Sequence, residues 1–133
     1  MKKDLEQPVV SDVYVAIVPE QNSEGFSEWN AYLINDKNEL IEGVLVSSQG
    51  YGEIKGEKKK TAVFRHSLDE MKSKSAKKFE NIPRELFVLS NEFWVSFYLD
   101  KKMQDKKFIF LAESIRKENL TKIPVLNKMG VLI

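Results

Sequence analysis

His66 is the only histidine of this 133-residue chain, and Ser67 and Asp69 beside it complete the residue types of a hydrolytic triad. A triad works only when nucleophile, base and orienting acid meet within hydrogen-bond reach, and closeness in sequence does not bring that about. His66 is therefore read as a loop residue ahead of a helix. A zinc site would have to draw on His66, Asp69 and Glu70 without any cysteine, and their spacing matches no known ligand pattern. Calcium would need an oxygen-rich loop, and Asn35-Asp36-Lys37-Asn38-Glu39 lacks the length and the central glycine of one. Gly50, Gly52 and Gly56 precede Lys58, Lys59, Lys60 and Thr61, but Gly56 is followed by Glu57, so the glycine-lysine step that cradles phosphates is missing. The dinucleotide fingerprint fails on its glycine spacing as well. Glu92, Asp100, Asp105 and Glu113 flank aromatic segments with no pair set apart for acid-base work. The expectation is a protein that is not an enzyme, with no cofactor and no bound metal.

Two kinds of binding chemistry remain. Trp29, Tyr32, Trp94 and Tyr98 are large amphipathic side chains on segments that alternate like strands; if both faces of one sheet are aromatic, the outer face has to be covered by another element, a ligand or a second chain. This points to a noncatalytic protein-interaction or structural module, with a protein partner or a homodimer formed through these four residues or through the apolar end Met129-Gly130-Val131-Leu132-Ile133. The alternative is a nucleic-acid-binding module. Residues 54 to 80 hold 9 basic and 4 acidic side chains, against 3 basic and 10 acidic in residues 1 to 53, while the whole chain is only +1. Lys58, Lys59, Lys60, Lys74, Lys77 and Lys78 would supply the phosphate contacts, and Tyr51 or Trp94 a base-stacking surface.

The elements that would position these residues are mostly strands. Val13 to Val18 is a first strand, closed by Pro19 for want of an N–H. Glu28 to Ile34 follows the two-residue period, and Asn35-Asp36-Lys37-Asn38 is a turn. Leu40 to Ser47 makes a third strand that ends at Ser48-Gln49-Gly50, followed by a loop or irregular hairpin and a return to strand character at Thr61 to Phe64. Residues 67 to 79 switch period: Ser67 can cap, Glu70 completes a capping box, and Leu68, Met71, Ser75 and Phe79 form one stripe, which predicts a surface helix. Leu86 to Leu89, Phe93 to Leu99 and Lys107 to Ala112 are further strands. In the middle one Phe93, Val95, Phe97 and Leu99 take the core side, leaving Glu92, Trp94, Ser96 and Tyr98 outside. AESIRKENLTKIP predicts one short helix or turn, and the apolar terminus a last strand.

Length and composition fit one domain over residues 1 to 133, since 42% apolar and 31% charged residues are ordinary for a folded chain of this size. The start MKKDLEQPVV lacks the apolar core of a signal peptide, and no run of about 18 apolar residues predicts a membrane span. With no cysteine present, cytoplasmic residence is the expectation. The fold class expected is mainly β, a compact β-sandwich or partly open barrel with one surface helix. The segments LSNEFWVSFYLD and DKKFIFLAES, preceded by VYVAIVPE and WNAYLIND, resemble the small β-rich accessory domain of some bacterial proteins that also carry an Smr domain. That resemblance covers the strand order over residues 13 to 112 and implies a β-sandwich-like module. With no room here for the Smr nuclease-like domain itself, it implies no enzyme activity.

Overall fold

The computed structural model describes residues 9–133, so the charged start MKKDLEQP lies outside the described residues. The fold is mainly β: β1 (Val13–Gln21), β2 (Ser27–Asn35), β3 (Ile41–Ile54), β4 (Glu57–Lys60), β5 (Phe64–Met71), β6 (Ser75–Asn81), β7 (Ser90–Leu99), β8 (Lys102–Phe110), β9 (Thr121–Lys122) and β10 (Met129–Leu132). Sheet I has the order β6-β2-β1-β10-β9, and sheet II runs β4-β3-β7-β8 with β5 also paired to β3. Neither sheet closes on itself. Val15, Ile17 and Leu33 of sheet I share one core with Val44, Val46, Phe93, Val95, Phe97, Phe108 and Phe110 of sheet II. The arrangement is sandwich-like, and among the described residues the only helical pieces are two 3-10 turns, Arg84–Val88 and Lys117–Asn119. No helix there is long and apolar enough to cross a membrane.

The helix predicted over residues 67 to 79 is not formed. In its place β5 and β6 make two strands joined by a tight turn, with Lys74 in left-handed geometry at φ 54°. The misleading signal has a clear cause. Asp69 also stands at φ 59°, and the pairing of β3 with β5 shifts register on both sides of Val44, which faces Asp69. A β-bulge adds one residue to the strand, so side chains three apart return to the same face. Leu68 and Met71 are therefore both buried at helical spacing on an extended backbone. The turn is held by Asn35, which is fully buried: its Nδ2 donates to the carbonyls of Glu39, Met71 and Lys72 at 3.0, 3.2 and 2.9 Å, and its Oδ1 accepts from the Lys37 N–H at 3.1 Å. The proposed cap Ser67 instead stands on β5, opposite Leu45.

Other boundaries move for local reasons. β1 runs through Pro19 to Gln21, because β10 pairs with β1 only at Ala16 and Ile17 and no neighbour on that side asks Pro19 for an N–H. β3 continues past Gly50 to Ile54 and turns at Lys55 and Gly56, both at positive φ, into β4. Positive φ at both centre positions defines the two-residue turn suited to twisted hairpins. The same device at Asp100 and Lys101 joins β7 to β8, so β8 starts at Lys102 rather than Lys107. Residues 86 to 89 are not a strand. Leu86 to Val88 fall in the 3-10 turn after Pro83 and Leu89 follows it, and the Asn91 side chain takes up its carbonyls by donating to Leu86 O at 2.9 Å and Leu89 O at 3.1 Å. The apolar terminus is a strand, as its composition predicts, and β10 packs beside β1. Both faces of sheet I are thus buried around β1, since Ala16, Val18, Tyr32, Ile34 and Ile123 form a second cluster on the side away from sheet II.

Candidate interaction surface

The outer face of sheet II is built by cross-strand register. Arg65 of β5 faces Ser47 of β3, Ser47 faces Trp94 of β7, and Trp94 faces Lys107 of β8. One step along, Ser67, Leu45, Ser96 and Asp105 form the next row. Tyr98 and Met103 pair beyond that, and Glu92 faces Ile109 on the other side. Directly opposed residues in antiparallel strands point to the same face, so these side chains share one surface. Leu45 and Met103 are each 53% exposed, Trp94 43% and Tyr98 46%. A shallow concavity of about 380 Å³ lies on the β5, β3 and β7 part of this face, bordered by Leu45, Ser47, Arg65, Ser67, Trp94 and Ser96.

The sequence pattern correctly separates Phe93, Val95 and Phe97, all buried, from Trp94 and Tyr98. It does not anticipate how the outward aromatics are held. Lys107 places its ammonium 4.9 Å from the Trp94 ring centre and 4.0 Å from Glu92, so the indole is braced by a cation on its own sheet. Tyr98 lies over Gly43, which takes φ 57° at the bulge in β3, and a Cβ at that position would come within 3.2 Å of the Tyr98 ring. Leu45 is missed because Val44 and Val46 on either side already satisfy the inward pattern. A strand with apolar residues on both sides of its pleat was the signal that could have found it.

Trp29 and Tyr32 do not join this face. Both belong to β2 of the other sheet, at 3% and 9% exposure. Trp29 meets Phe87 edge-on with ring centres 5.5 Å apart. Tyr32 donates to Glu20, which also accepts from Asn30 Nδ2 at 2.7 Å and pairs with Lys128. Burial pushes the Tyr32 phenol up and the Glu20 carboxylate beside it adds to this, reaching about 12. Burial also raises Glu20, but the hydrogen bonds from Lys128, Asn30 and Tyr32 and the Lys128 charge outweigh it, leaving the carboxyl below its usual range. These groups tie β10 and its approach to sheet I.

The lysines of residues 54 to 80 are divided. Lys58, Lys59 and Lys60 lie on β4 opposite Glu53, Gly52 and Tyr51, whereas Lys77 and Lys78 lie on β6 opposite Leu33 and Tyr32 of sheet I. The first group is on an edge strand of sheet II and the second on an edge strand of sheet I, and the two strands do not pair. Lys74 pairs with Asp36 at 2.9 Å, and Lys77 donates to the carbonyls of Leu68 and Glu70.

His66 and Ser67 point to opposite faces of β5, as neighbours on a strand do, so the sequence triplet is not assembled. The structure makes a different polar cluster between the sheets: Ser48 Oγ donates to Glu80 Oε1 at 2.6 Å, and His66 Nε2 lies 2.8 Å from the same oxygen. Here the carboxylate stands in the centre. A nucleophilic site needs the imidazole there, between hydroxyl and acid. Glu92 and Asp105 lie on neighbouring strands about four residues out of register, roughly 13 Å at strand rise, which exceeds the separation of a glycosidase pair. Asp100 is in the β7–β8 turn and Glu113 follows β8. Among the described residues no group of three or more His, Asp or Glu side chains is placed to hold a metal. No protein-family model, curated protein or solved structure matches the chain.

Proposed function

We propose that this chain is a noncatalytic protein-interaction module that recognises its partner with the outer face of sheet II. The observation that carries the reading is the gathering of Leu45, Trp94, Tyr98 and Met103, all exposed, on one continuous four-strand surface with mixed charges around them. Exposed apolar groups gathered in one patch and rimmed by polar residues are a mark of protein association, and aromatic residues supply most of the energy at such sites. Arg65 and Lys107 are balanced on this face by Glu92 and Asp105, which suits a protein partner better than a polyanion. A β-rich accessory module is also what the resemblance of residues 13 to 112 implies. The separation of Lys58, Lys59 and Lys60 from Lys74, Lys77 and Lys78 weakens the nucleic-acid alternative, because affinity for phosphates grows with the number neutralised together.

A photo-crosslinking amino acid at Ser96, in the middle of the face, tests the reading in the cells that make the protein. Crosslinked protein adducts from position 96, and none from the exposed Glu24 in the β1–β2 turn of the other sheet, are expected. A position 96 that yields no protein adduct overturns the proposal.

A further inference from the structure

Resting on that reading, we infer that the partner is a second copy of this chain, packed face to face through sheet II about a two-fold axis that runs along the Trp94–Leu45 diagonal. The inference comes from the placement of charge. The two central rows are Arg65, Ser47, Trp94, Lys107 and Ser67, Leu45, Ser96, Asp105, so Arg65 and Asp105 occupy opposite corners of a rectangle whose middle is Ser47, Trp94, Leu45 and Ser96. With strands about 4.8 Å apart and rows about 6.7 Å apart, the line from Trp94 to Leu45 runs close to the perpendicular bisector of the Arg65–Asp105 diagonal. A rotation of 180° about that line brings Trp94 onto its own counterpart, Leu45 onto Leu45, Ser47 onto Ser96, and Arg65 onto Asp105. Glu92 lands beside Lys107 and Ile109 of the other copy. An isologous interface makes each such match twice, so one surface supplies two Arg65–Asp105 pairs around an apolar centre.

The available area agrees with a reversible dimer. Turned about that diagonal, the strands of the two copies cross at about 70°, so two faces each about 19 Å wide overlap over on the order of 400 Å² per copy and 800 Å² in total. That is the low end for specific contacts, where transient complexes fall. Among the described residues neither Arg65 nor Asp105 forms a salt bridge within its own chain, and both are exposed, so each is free to serve the other copy and to be replaced without loss of the fold.

Sedimentation equilibrium of the full chain up to about 1 mM, with Trp94 emission followed in parallel, tests this. The unmodified protein should show a concentration-dependent rise toward twice the monomer mass together with a blue shift, since Trp94 is the exposed one of the two tryptophans. Arg65→Asp and Asp105→Arg should each weaken association by about tenfold or more, because every reversal is met twice and sets like charges together. The double variant Arg65→Asp/Asp105→Arg restores the pairing in reverse and should recover the dimer. A protein that stays monomeric at 1 mM, single reversals without effect, or a double variant that fails to recover would each overturn the inference. Crosslinks from position 96 to a different protein, with no self-association, would overturn it while leaving the interaction reading standing; no crosslinks at all would remove both.

Discussion

Replacing Asn35 by Asp should destabilise the protein at least as much as replacing it by Ala, although Asp has almost the same shape. Asn35 is fully buried, and its amide nitrogen donates to the carbonyls of Glu39, Met71 and Lys72 at 2.9 to 3.2 Å. Ala removes all three bonds; the one to Met71 O is fully buried, while Lys72 O keeps the Ser75 hydroxyl at 2.6 Å. At about 1 kcal/mol for each bond lost, with some further desolvation cost, the loss comes to about 3 kcal/mol. Asp keeps the volume but sets an acceptor oxygen against the same carbonyls, and a buried charge without a cation adds to the loss, making it about 3–5 kcal/mol. For a chain of this length either change should lower the melting temperature by roughly 10 °C or more. Urea unfolding followed by circular dichroism gives the comparison, with the midpoint falling while the slope stays constant. An Asn35→Asp protein within about 1 kcal/mol of the parent would refute the assignment of Asn35 as the donor that holds the β5–β6 turn, and would show that filling the space is what matters there.

Glu20 has a lowered pKa, so its contribution to stability is present above the unfolded value of about 4.5 and is lost as pH falls through the folded one; Glu20→Gln should flatten this part of the acid limb, seen as a smaller change in urea midpoint between pH 5 and pH 3. Tyr32 behaves in the opposite sense, its contribution being complete below pH 10 and lost as pH rises toward about 12; Tyr32→Phe should remove the component near 12 from the tyrosinate absorbance titration of the native protein. Gly130→Ala should cost about 1–3 kcal/mol and speed amide exchange at Val15 and Ile133, because the added Cβ would lie 2.9 Å from Val18 Cγ2 and 3.0 Å from Ile17 O where β10 meets β1. Phe93→Ala should cost about 3–5 kcal/mol, whereas Trp94→Ala should change the stability of the monomer by less than about 1 kcal/mol and act on association instead; equal losses of monomer stability would contradict the register of β7.

The strand pattern and much of the core were legible because alternation is a local property. Phe93 to Leu99 displays its two faces in seven consecutive residues, and the turn at Asn35 to Asn38 is written in side chains that bond their own backbone. The same locality explains the failures. At Leu68 and Met71 a bulge gives an extended strand the spacing of a helix, and nothing within residues 67 to 79 reports that β3 lies alongside or that Asn35, more than thirty positions away, donates to the turn. β8 went unrecognised over residues 102 to 106 because an edge strand needs little apolar character, and charged residues there discourage pairing with other chains.

The candidate surface divides in the same way. That Trp94 and Tyr98 face outward follows from the pleat and was fixed by the neighbours of each on β7. That Trp29 and Tyr32 are withdrawn into sheet I, that Lys58 and Lys78 end on different sheets, and that Leu45, Arg65, Met103 and Lys107 complete the aromatic face were decided only by which strands lie side by side. A residue's side of the pleat is set by its immediate neighbours in the chain, whereas the company it keeps there is set by pairing between distant segments, stabilised by a core to which both sheets contribute.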